Sequence, residues 1–126
     1  WKDGVAGVDS FDKASFHWLS VIRLPDFVTE KDFAWAVETA SKKKQIDCSV
    51  AEFLTIDEGL SVQMMHIGPY NDEPASVKIM NDFIKEQGYK TDINEKRLHH
   101  EIYLSDPRKT APEKLKTVLR HPIKKI

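Results

Sequence analysis

The segment Leu98–Leu104 reads Leu-His-His-Glu-Ile-Tyr-Leu, with an acid centred in an apolar and aromatic run. In an extended strand, side chains alternate between faces, so His99, Glu101 and Tyr103 share one side while His100, Ile102 and Leu104 share the other. Ile102 and Leu104 are expected to face the helices. That leaves Glu101 and Tyr103 opposite them, at a place where a carboxylate is costly to bury without a partner. One chemistry such a group offers is acceptance of a cation. The other is general-base catalysis by a carboxylate whose pKa an apolar, aromatic surround has raised, with Tyr103 hydrogen bonding beside it. The competing reading is a solvent-facing strand on which Glu101 pairs with Arg97 or Arg23.

Other reactive residue types carry less. His66, His99 and Glu101 fall on strands, but their spacing matches no metal motif, and a metal site needs ligands converging from separate strands. No metal or other cofactor is therefore expected. Cys48 lies beside Asp47, and a neighbouring anion disfavours the thiolate, so a buried or edge thiol is the expectation. Trp18 shares strand parity with Phe16 and Ser20, which makes it either a wall of the Glu101 face or an ordinary core aromatic. Lys42, Lys43 and Lys44 fall where a helix ends, a place favourable for cations and usually solvated.

The elements that must position these residues follow from periodicity and punctuation. Trp1–Ser15 reads as a loop, and Phe16–Arg23 as a strand stopped by Leu24-Pro25. Thr29 and Asp32 form a capping pattern before a helix whose apolar stripe is Phe33, Ala36, Val37 and Ala40. Ala51–Asp57 and Leu60–Ile67 read as a hairpin turning at Glu58-Gly59. Asn71-Asp72-Glu73-Pro74 opens a second helix, with Val77, Met80 and Ile84 inward and Gly88 as its stop. Leu98–Leu104 is the last strand expected, and Ala111–Arg120 reads as a short helix. The order implies an α+β fold with one mainly antiparallel sheet and both long helices on one side. Spacing alone points to a ferredoxin-like sandwich, and the two strand–helix units form a pseudo-symmetric pair.

The chain's 126 residues fit one domain, residues 1–126, and 31% of them are charged, with 40% hydrophobic. No apolar run reaches the roughly 20 residues that span a bilayer. A net charge of −1 sets up no global attraction for phosphate backbones, so neither a membrane nor a nucleic acid is an expected partner. The single cysteine and the lack of a signal-peptide pattern fit a cytoplasmic protein. Trp1 in place of Met, followed by Gly4-Val5-Ala6-Gly7, reads as the middle of a longer chain.

Two stretches are more specific: Met65-His66-Ile67-Gly68-Pro69-Tyr70 with Asp72-Glu73-Pro74-Ala75, and His99-His100-Glu101-Ile102-Tyr103-Leu104-Ser105-Asp106-Pro107. Together with Phe16-His17-Trp18 and the ending Thr110–Pro122, they resemble the GyrI-like small-molecule-binding family over nearly the whole chain. The resemblance implies two pseudo-symmetric strand–helix modules of the SHS2 type enclosing a ligand cleft, a fold shared with effector domains of multidrug-sensing regulators. It implies a hydrophobic or cationic aromatic small molecule as ligand, met by a cleft glutamate that matches Glu101. For some stand-alone bacterial members it implies hydrolysis of cyclopropane-bearing, DNA-alkylating toxins, with Glu101 and Tyr103 in the catalytic positions. Trp18 and Tyr70 are expected to hold a flat ligand. The alternatives are a non-catalytic sensor or sequestering module, and a topoisomerase-binding protein. Stand-alone members usually carry another strand and helix before the position of Trp1, so a homo-oligomer, an exchanged element or a separate N-terminal segment is expected to complete the fold.

Overall fold

The computed structural model describes residues 17–126. They divide into two compact units, residues 18–56 and residues 57–126, with His17 grouped with the second.

In the first unit the helix α1 spans Glu30–Lys44. Thr29 and Asp32 cap it reciprocally: the Thr29 hydroxyl accepts from the Asp32 backbone N–H at 3.4 Å, and the Asp32 carboxylate accepts from the Thr29 backbone N–H at 2.8 Å. The chain leaves α1 through Gln45 in the left-handed region, φ 55°. Phe33 packs on Phe53 at 5.5 Å between ring centres. Residues 18–25 and 51–56 form no strand, which corrects two expectations. Both stretches have strand composition, but a strand exists through its ladder, and neither has one among the described residues. The Glu58-Gly59 hairpin is corrected with them. Phe16 and the Trp1–Ser15 loop lie outside the described residues.

The second unit holds the sheet. Its elements are β1 (Ser61–Ile67), a 3₁₀ turn at Tyr70–Asp72, α2 (Glu73–Glu86), β2 (Tyr89–Thr91), β3 (His100–Tyr103), a 3₁₀ turn at Pro112–Lys114, and β4 (Lys116–Lys125). The expected helix over Ala111–Arg120 is thus one short turn and the start of a strand. β4 is the centre of the sheet: β1 pairs with one edge, and β2 and β3 share the other, all antiparallel. Pro122 is tolerated inside this central strand because its missing N–H falls between the β3 ladder, which ends at Arg120, and the β2 ladder, which begins at Ile123. Its carbonyl still accepts from Asp92 N–H at 2.8 Å.

α2 covers one face. Val77, Met80 and Ile84, spaced on one helical stripe, close over Leu119 and Ile123 of β4, with Val62, Met64 and Tyr89 packed around them. Each such side chain contributes about 1.5–3 kcal/mol of burial. The chain is therefore α+β, with an antiparallel sheet and helical cover on one side. The observed order of elements replaces the ferredoxin-like order that spacing alone implied.

Arg97 ties the loops at the far end of the sheet. It donates to the carbonyls of Glu58 (2.8 Å) and Leu60 (2.6 Å) and to the Asp92 carboxylate (2.8 Å). Gly59, at φ +55°, makes room, since a Cβ there would meet the Arg97 guanidinium at 3.1 Å.

Candidate functional site

β3 pairs Glu101 with Leu119 and Tyr103 with Thr117. Directly opposed residues of an antiparallel pair project to the same face, so Glu101 and Tyr103 stand on the side of the sheet that α2 covers. The expectation that Ile102 and Leu104 face the helices is therefore reversed: Ile102 pairs with Val118 on the other face. The parity was right and the face was wrong.

Around Glu101 the structure assembles a compact polar cluster. His99 Nε2 lies 2.9 Å from Glu101 Oε1, and the Tyr103 hydroxyl donates to Oε2 at 2.5 Å. The Glu101 side chain is 28% exposed and that of His99 11%, so the carboxylate reaches solvent from a largely covered position. Tyr70 meets Tyr103 edge-on, with 5.6 Å between ring centres and 75° between planes. Behind them His121 packs against His99 at 4.8 Å.

The motif around Gly68 explains how Tyr70 arrives there. His66 is buried; its Nε2 donates to the Pro69 carbonyl at 3.0 Å, and its Nδ1 lies 2.9 Å from the Ser76 hydroxyl of α2. A carbonyl only accepts, so Nε2 carries the hydrogen. Gly68, at φ +136°, then turns the chain into the 3₁₀ turn that presents Tyr70. His66 is thus a structural pin, and no group of three or more His, Cys, Asp or Glu side chains among the described residues is placed to hold a metal ion.

The electrostatics differ from expectation. The His99 hydrogen bond lowers the Glu101 pKa and outweighs burial, with the Tyr103 hydrogen bond acting in the same direction. Glu101 is an ionised acceptor, where the sequence reading foresaw a carboxyl raised by an apolar surround. Burial, then the bond to Glu101, pushes the Tyr103 phenol up, so Tyr103 stays protonated and donates. Burial lowers His121 to about 4, with His99 reinforcing the shift. Of the two arginines proposed as partners, Arg97 pairs with Asp92, and Arg23, in the first unit, with Asp26. Among the described residues, no lysine or arginine forms a salt bridge with Glu101.

Glu101, Tyr103 and Tyr70 are brought together within the second unit. Trp18 belongs to the first unit, on a stretch that is not a strand, and is 79% exposed. Cys48 is half-buried in that same unit, its backbone N–H donating to Ser41 Oγ at 3.1 Å. Sequence reasoning missed Thr117, which fell inside the expected helix Ala111–Arg120, and His121, just beyond it; both lie on β4. The alternation of Thr117, Leu119, His121 and Ile123 was the signal that pointed to them. A separate apolar groove between β1 and α2, lined by Val62, Met64, Ile79, Met80 and Phe83, contains none of the expected site residues. No described helix is long and apolar enough to cross a membrane.

Comparison with known proteins places this geometry in context. An uncharacterized conserved protein from Listeria innocua is 50% identical, with a TM-score of 0.78, covering 81% of this chain and 50% of its own. Two structures named as hydrolases from the same organism are each 48% identical over 81% of this chain, with TM-scores of 0.76 and 0.74. The chain spans about half the length of these relatives. No curated protein sequence matches it. The GyrI-like small molecule binding domain matches residues 24–124, which include α2, the Glu101 cluster and all of the sheet but the last residue of β4, and the chain belongs to that family.

Proposed function

We propose that this domain binds hydrophobic or aromatic small molecules, cationic ones above all, with Glu101 as the anionic anchor and Tyr103 and Tyr70 as aromatic surface. One observation carries the reading: Glu101 is ionised and held on both oxygens by His99 and Tyr103, yet among the described residues no arginine or lysine salt bridge neutralises it. An uncompensated carboxylate beside aromatic rings is complementary to a flat cation. Trp18, in the first unit, is the fourth proposed contact, supported by the family resemblance alone.

Titration with ethidium, a flat fluorescent cation, tests the anchor. Parent protein is expected to bind saturably, and Glu101→Gln, which keeps shape and loses charge, to weaken binding by about 1–3 kcal/mol. Equal affinity in the two proteins would sink the reading.

Hydrolysis is the second reading, favoured by the two relatives named as hydrolases. In it, the oxygen of a water bonds to a carbon of a substrate cyclopropane, and one ring C–C bond breaks with its electron pair passing into a conjugated carbonyl. The proton lost by the water passes through Glu101 to the carbonyl oxygen. The net reaction is addition of H and OH, a detoxification of an electrophile suited to the reducing cytoplasm that the lone Cys48 fits. Repeated release of ring-opened product from excess cyclopropane-bearing ketone supports an enzyme; saturable binding without turnover supports a sensor. Because the chain spans about half of its structural relatives, this reading concerns the site and not a complete enzyme.

A further inference from the structure

His121 has no part in the reading above, yet it is one of the most enclosed polar side chains of the sheet. It is 1% exposed, and neither ring nitrogen has a hydrogen-bond partner among the described residues. Enclosing an imidazole in this way costs free energy, so its placement needs a reason. The ring stands edge-on to His99, 4.8 Å away at 73°, and forms the wall against which His99 rests. His99 in turn touches the carboxylate, with Nε2 at 2.9 Å from Glu101 Oε1. Since an ionised carboxylate only accepts, Nε2 must carry the hydrogen.

We propose that His99 is a positioning residue that holds the Glu101 carboxylate ionised and aimed, and that His121 is the buried support that fixes the His99 ring. The proposal rests on reading Glu101 as the anion of the site. Among the described residues, the groups that face Glu101 are His99, just before β3, Tyr103 of β3 and His121 of β4, while Tyr70 and Glu73, at the opening of α2, act on Tyr103. His99 supplies the largest influence on Glu101 among them. A ring free to swing would withdraw the donor from Oε1 and leave burial to act on the carboxyl unopposed at that oxygen.

The test follows the Glu101 side-chain carboxyl by ¹³C NMR in a pH titration of the full chain, a readout that needs no ligand, alongside ethidium binding across the same pH range. His99→Phe keeps a ring against His121 and removes the donor; His99→Gln places an amide N–H near the position of Nε2; His121→Phe alters only the support. The Glu101 midpoint is expected to rise in His99→Phe, to stay near the parent value in His99→Gln, and to rise by a smaller amount in His121→Phe. Ethidium affinity should follow, with the loss greatest at the acid end. A folded His99→Phe protein with the parent midpoint overturns the proposal. If His99→Phe does not fold, His121→Phe decides, and an unmoved midpoint there overturns it. Should the midpoints shift as expected while the parent binds no ethidium, the cation-binding reading falls and the positioning role stands.

Discussion

Adjacent histidines at the start of β3, His99 just before it and His100 at its first position, serve two carboxylates on opposite faces of one sheet, and the two clusters have opposite characters. On the face away from α2, His100 Nδ1 lies 2.8 Å from Glu58 Oε1, while Arg120 donates to Glu58 Oε2 at 2.5 Å and to Gln63 Oε1 at 2.8 Å. Burial pushes the Glu58 carboxyl up, but the hydrogen bonds from His100 and Arg120 together with the Arg120 charge bring it below its ordinary value. On the α2 face, Glu101 has His99 and Tyr103 and, among the described residues, no guanidinium. Both carboxylates are ionised; only one is neutralised. The charge of Glu58 is met within the fold, whereas in the proposed reading that of Glu101 is met by a ligand. A carboxylate–histidine pair is therefore uninformative by itself, and the cation beside it decides whether it is a clasp or a site.

Acid should separate the two faces most strongly. His121 is lowered from 6.5 to about 4, so between those values the unfolded chain binds more protons, and stability rises with pH through that window. The contribution, about 3 kcal/mol if the shift is expressed in full, is present above the unfolded value and lost as pH falls toward 4. Glu101, lowered in the fold, likewise stabilises above its unfolded value and loses that contribution as pH falls through its folded one. Denaturant melts at pH 7 and pH 4.5 should show the loss in parent protein and a smaller one in His121→Phe. Identical slopes would remove His121 from the account.

Next in size is a crossing of effects between the two carboxylates. Glu58→Gln is expected to lower stability by about 1 kcal/mol, a modest figure because the pair with Arg120 is partly solvated, and to leave ethidium binding alone. Glu101→Gln is expected to weaken ethidium binding while lowering the melting temperature slightly at neutral pH, since the amide forgoes the bonds that favour the charged form. A carboxyl raised by an apolar surround, as the sequence suggested, would make this variant as stable as the parent or slightly more so, and the lowered pKa reverses that sign. Two variants with the same profile would erase the distinction.

Tyr103→Phe should have a smaller effect than Glu101→Gln, a loss of a few-fold in ethidium affinity, because the ring and its contact with Tyr70 remain while one of two donors to Glu101 goes. The smallest effect expected is that of Lys78→Ala, which removes an exposed Lys78–Asp82 pair on α2. Its melting temperature and affinity should match those of the parent within error. A loss of binding there would mean that long-range charge, and not the local cluster, controls the site.

Much of this arrangement was legible in the chain. The Thr29–Asp32 capping pattern and the Asn71–Pro74 start signals marked α1 and α2 because caps are local chemistry, set by residues three or four apart. β1 and β3 showed through alternation, and so did the parity of Glu101 with Tyr103. Which face met the helix did not show, because both faces of β3 carry apolar neighbours and the deciding partner, Leu119, is distant in sequence. β4 was hidden by Pro112 and Glu113, which open a turn that imitates a helix start, and by Pro122, which argues against a central strand unless the gap between two ladders is known. The unexpected strand β2, three residues long, has too few residues to show a period. The pKa direction of Glu101 was illegible for the same reason as its face, since it depends on His99 bending back to Oε1.

The central position of β4 also has a consequence for synthesis. Among the described residues every strand pair of the sheet includes β4, yet β4 comes after all these partners in the chain. On the ribosome, β1, β2 and β3 emerge before the strand they pair with, and α2 emerges before Leu119 and Ile123, on which its apolar stripe closes. Sheet closure then waits for a single late segment, which makes nascent lengths short of Lys116 the most aggregation-exposed form of the molecule.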